Sequence, residues 1–103
     1  MSVQDQAVRV AAALDALDQH RAFLGLSWQT WRAAQPEGDV VAVFEAWAQE
    51  MARVLCVETP ALLHCPPRSV WLAMIACAQA GGLDPAVAAA LEARVKAAFP
   101  DAL

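Results

Sequence analysis

Between Val70 and Ala78 the chain reads Val-Trp-Leu-Ala-Met-Ile-Ala-Cys-Ala, nine consecutive residues without a polar side chain in a sequence of 103. A helix through this stretch is apolar on every face, so no side of it can rest against water. A chain of this length buries roughly 60–65% of its unfolded surface, enough for one core with little to spare. The helix must therefore occupy the centre of a bundle or meet another protein.

Helical period and helix punctuation recur along the rest of the chain. Val3, Val10, Leu14, Leu17 and Leu24 follow a three-or-four spacing, which predicts a helix over 3–24 with Ser2 as N-cap and Gly25 as the residue that ends it. Ser27 is placed to cap a short helix over 28–35 that Pro36 stops. Asp39 then caps a helix over 40–55, whose apolar face is Val40, Val43, Phe44, Trp47, Met51, Val54 and Leu55. Thr59-Pro60 opens a short turn of helix over 60–64. Pro67 starts the apolar helix, 67–80, which Gly81-Gly82 breaks. Asp84-Pro85 opens the last helix, 85–99, with Val87, Leu91, Val95 and Phe99 on one stripe. No alternating run suggests a strand. The expected fold is all-α: a single domain over 1–103, a compact bundle of four longer helices and two short ones.

The charge balance narrows the partners. Net charge is −4, and the six Arg are scattered at positions 9, 21, 32, 53, 68 and 94 without a run. Phosphate neutralisation supplies most nucleic-acid affinity, so this balance disfavours a nucleic acid. The longest apolar run is about half of the roughly 18 residues a membrane span needs, and no membrane insertion is expected. Hydrophobic residues make up 59% of the chain, many of them Ala, with a single Ile and a single Lys. This skew suggests a GC-rich bacterial genome. Three Cys without a basic and apolar leader suggest reduced thiols in a cytoplasm.

Motifs for chemistry are sparse. Cys56, His64, Cys65 and Cys77 offer zinc-type ligands, but only His64 and Cys65 are near in sequence, and adjacent residues seldom converge on one tetrahedral ion. His64-Cys65-Pro66 resembles the Cys-Pro pair of haem-responsive motifs; a two-residue match carries little, and a small apolar thiol at a turn is the preferred reading. Nucleophilic catalysis needs Cys or Ser beside a His base, and His20 and His64 form no readable set with either. Asp15 and Asp18, three apart, suit the solvated side of a helix. No metal, no cofactor and no catalytic residues are expected.

The segment Leu-Gly-Leu-Ser-Trp-Gln-Thr-Trp, 24–31, resembles the turn of helix-turn-helix DNA readers, in which glycine follows the first helix and Ser or Thr opens the recognition helix. The resemblance implies that Trp28, Gln29, Thr30 and Arg32 face the major groove. The chain departs from that pattern at His20, Arg21 and Trp31.

Trp28 and Trp31 lie three apart on a helix of barely two turns, with Arg32 beside them. Two Trp there either clamp the helix to the bundle or project outward, and exposed Trp beside Arg is the composition of a binding hot spot. Trp28, Trp31 and Arg32 are thus the candidate protein-binding residues. Phe44, Trp47, Met51, Val70, Trp71 and Met74 are the candidate self-association surface of a homodimer, because the apolar surplus is large for so small a bundle. The expected function is a non-catalytic interaction module, regulatory or inhibitory, that docks on a larger protein or on itself. The alternatives are a helix-turn-helix transcription regulator and a bundle that takes a small ligand or haem in its interior.

Overall fold

The computed structural model describes residues 3–58, 65 and 67–99. They form five helices: α1 (Val3–Gln19), α2 (Arg21–Ala34), α3 (Val40–Glu58), α4 (Pro67–Ala80) and α5 (Pro85–Ala98). No strand occurs among the described residues, and the fold class is all-α. The short helix expected over 60–64 and the Ser2 cap lie outside the described residues.

Helix α4 answers the question its sequence poses by sitting at the centre. It packs against α1, α2, α3 and α5, so its apolar faces each meet a neighbour. Met74, Ile75, Cys77 and Ala78 are buried, and Val70, Trp71, Leu72 and Ala73 pack partly covered against the same core. That core is one cluster that draws on all five helices, from Ala13 and Leu17 on α1 to Leu91 and Val95 on α5.

The helix ends follow local chemistry where the sequence supplies it. At the end of α4 the Gly82 N–H donates to the Gln79 carbonyl and the Leu83 N–H to the Ala78 carbonyl, both at 3.0 Å. Gly82 takes a φ of +97°, and Leu83 folds back into the core. This is a Schellman stop, which needs a left-handed residue at the position that Gly82 fills. Asp84 then caps α5, its carboxylate accepting from the Ala86 N–H at 2.7 Å, with Pro85 in the first turn. Asp39 plays a similar part for α3, accepting from the Val41 N–H.

The expected boundaries near residue 24 are corrected. The first helix stops at Gln19, and α2 runs unbroken from Arg21 to Ala34. Gly25 and Ser27 are therefore interior residues of one helix, not its end and the cap of the next. The break falls at His20, which has no side-chain cap bond. The reason is tertiary. A Cβ built on Gly25 would lie 3.1 Å from the Gly81 amide nitrogen and 3.3 Å from the Cys77 carbonyl oxygen. The backbone of α2 rests on the end of α4 at this point, and a Cβ on Gly25 would be tighter than ordinary contact. Glycine inside a helix costs about 1 kcal/mol relative to alanine, which the close crossing of two helices offsets.

Candidate functional site

The residues expected to form a binding patch on α2 hold the fold together instead. Trp28 is only 2% exposed. Its ring stands edge-on to Phe44 and Trp47, with centroids 6.0 and 5.5 Å away. Trp31 is half-buried against the core. Arg32 donates from Nη1 to the Gly38 carbonyl at 2.6 Å and to the Gln35 carbonyl at 3.2 Å, tying the end of α2 to the turn before α3. Trp28 and Arg32 are thus committed to internal partners, and the three residues do not form an exposed patch.

The expected self-association surface divides into two groups. Phe44, Trp47 and Met74 are fully buried, and Met51, Val70 and Trp71 pack partly covered against the core. Trp47 has an interior partner as well. Its Nε1 donates to Ser27 Oγ at 3.1 Å, and that hydroxyl donates onward to Met51 Sδ at 3.4 Å. A buried indole N–H is costly without an acceptor, and Ser27 supplies one from inside α2. The helix-turn-helix geometry is not formed either, since 24–31 is continuous helix and Trp28 points into the core.

What remains on the outside is a different set of apolar side chains. Phe23 and Leu26 on α2 are 66% and 63% exposed, and Val57 on α3 is 74% exposed; Val54 is partly so. Within each helix the members stand three apart and share a face. The helices run antiparallel, because Trp28 meets Phe44 while Leu24 meets the level of Met51 and Leu55. Phe23 therefore stands opposite Val54. Between them lies a groove of about 300 Å³, lined by His20, Phe23, Leu24, Met51, Val54 and Leu55. Leu24 and Leu55 form its buried floor. Leu26 and Val57 stand one turn beyond Phe23 and Val54 on their helices, at opposite ends of the groove and on its solvent side.

Among the described residues, two ion pairs stand near the strip. Asp18 and Arg21 form an ion pair at the corner between α1 and α2. On α3, Arg53 binds Glu50 through two nitrogens, which holds the Glu50 carboxyl below its ordinary range and raises Arg53. The strip thus presents apolar side chains flanked by locally neutralised charge.

Sequence reasoning missed Phe23 and Leu26 because it ended the first helix at Leu24. The signal was present: read as a helix that begins at Arg21, Leu24, Trp28 and Trp31 form the core stripe and Phe23 and Leu26 fall on its flank. Val54 was counted as core-facing, but it forms the rim.

The thiols are internal or half-covered. Cys56, Cys65 and Cys77 form no disulfide, and the last two are buried. Burial pushes the Cys65 and Cys77 thiols up, and the nearby Cys56 adds to the effect on Cys65. No group of three His, Cys, Asp or Glu side chains that could hold a metal ion occurs among the described residues, and no described helix is long and apolar enough to cross a membrane. No protein-family model, curated protein or solved structure matches the chain.

Proposed function

We propose that this chain is a non-catalytic protein-interaction module whose docking surface is the α2/α3 strip, Phe23, Leu26, Val54 and Val57. The observation that supports the reading is the separation of its apolar side chains into two populations. The aromatic core is closed and internally satisfied, with Trp28 and Trp47 almost wholly covered. The strip holds four of the large apolar side chains that stay exposed, and it borders a groove. An amphipathic helix laid between two antiparallel helices inserts its apolar anchors into such a groove.

The partner is a helix of a larger protein, and occupation of its surface is the means by which a module of this kind regulates or inhibits. Self-association through α4 has less support, since Met74, Ile75, Cys77 and Ala78 are buried within one chain and Val70, Trp71, Leu72 and Ala73 are partly covered; a second copy is an alternative occupant of the strip. The paired variant Leu26→Asp with Val57→Asp tests the reading. Both side chains are solvent-exposed, so the melting temperature should stay near that of the wild type. Co-purification of the partner should be lost. Retention of the partner by the folded double variant would refute the reading.

A further inference from the structure

On the other side of α3 a second cleft opens where α3 and α5 stand over α4. It has a volume of about 200 Å³. Phe44, Leu91 and Val95 form a buried floor, Trp71 stands beside them, and Phe99 lies at the mouth. The Phe44 and Trp71 rings are 6.2 Å apart and tilted by 51°. This lining is apolar and aromatic, as in sites that take small molecules. At the rim Arg94 of α5 meets Glu45 of α3 with 3.1 Å between Nη2 and Oε1, and Gln49 lies next along α3.

We propose that this cleft binds a free α-amino acid with an apolar side chain of phenylalanine or leucine size. The argument is charge complementarity over an apolar well. One cation and one anion stand side by side at the mouth, so a ligand that carries a single charge is attracted by one and repelled by the other. A zwitterion satisfies both, with its carboxylate on Arg94 and its ammonium on Glu45. The existing ion pair is largely exposed, 62% and 46% for the two side chains, and such pairs are weak. The zwitterion replaces it with two charge-assisted contacts at little cost. Size agrees: a closed apolar cavity of about 150 Å³ takes benzene, and this open cleft is somewhat larger. The inference stands on a different face from the docking strip and does not depend on it.

The test is a titration followed by amide chemical shifts in the folded full chain, with L-phenylalanine, 3-phenylpropionate and phenethylamine as probes. These share a phenyl group on a short carbon chain and differ in charge. L-Phenylalanine should move resonances of α3, α4 and α5 around the cleft, and each singly charged probe should bind about two- to fivefold weaker, the loss expected for one solvent-exposed charge contact. Arg94→Gln and Glu45→Gln should each weaken L-phenylalanine by a similar factor. Ala98→Trp, an exposed position at the mouth, should block it. Equal binding of all three probes, shifts outside the cleft, or no shift at 20-fold excess over millimolar protein would each overturn the proposal.

Discussion

The backbones of Gly25 and Gly81 touch where α2 crosses the end of α4. A Cβ on Gly81 would press into the Gly25 carbonyl oxygen and lie 2.8 Å from its Cα. Neither neighbour is the flexible end of a side chain, so the helices themselves would have to part. Gly81→Ala should therefore cost about 1–3 kcal/mol, the range for overpacking a close-packed interior. Gly82→Ala meets no atom within 4 Å, and its cost, about 1–2 kcal/mol, comes only from the left-handed backbone. Urea unfolding of the two variants measures both.

The aromatic cluster gives a sharper contrast. Trp28→Ala empties a site enclosed by Phe44 and Trp47 and should cost about 3–5 kcal/mol. Leu26→Ala, two residues away on the same helix but exposed, should stay within about 0.5 kcal/mol of the wild type. Thermal melts of the two single variants separate a structural Trp from a surface Leu. Similar losses from both would mean that Leu26 is covered in the folded chain.

Ser27 offers a test of polar burial. Ser27→Ala removes the acceptor of the Trp47 Nε1–H bond and leaves a buried donor without a partner. The expected cost is about 1–3 kcal/mol. Trp47→Phe, combined with Ser27→Ala, removes donor and acceptor together. The double variant should then lose less than the sum of the two single losses, as a double-mutant cycle of denaturation curves would show.

Alkaline pH should weaken the fold through its buried thiols. Burial raises the Cys77 thiol in the folded state, and the nearby Arg21 and Asp18 act on it in opposite directions. Below about pH 8.5 the thiol is protonated in both states and the folded chain keeps its full stability. As the pH rises further the unfolded chain loses that proton first, so the folded state binds more protons and stability falls with pH. Cys65 acts in the same direction. Unfolding free energies at pH 7 and pH 10 should show this loss, and Cys77→Ala should reduce the slope. At neutral pH a thiol reagent should modify half-buried Cys56 before Cys65 and Cys77.

The parts of this fold legible in the sequence were those fixed by local chemistry. The Asp84-Pro85 cap, the Gly81-Gly82 stop and, Val54 apart, the amphipathic face of α3 each lie within a few residues, and each is found in place. The central position of α4 was one of two outcomes its composition allowed. Gly25 was misread because glycine at a helix end and glycine at a helix crossing look alike in sequence. What distinguishes them is Gly81, 56 residues later. That one error displaced the start of α2, and with it the distinction between Trp28, which is core, and Phe23 and Leu26, which are not.

The most direct measurement of the docking surface is site-specific photo-cross-linking in native cells. A benzophenone side chain at position 26 lies on the strip, and one at position 89 lies on the exposed side of α5. Position 26 should give a discrete protein adduct that position 89 does not, and Val57→Asp in the same chain should abolish it. An adduct of equal yield at both positions, or one that survives Val57→Asp, would contradict the account.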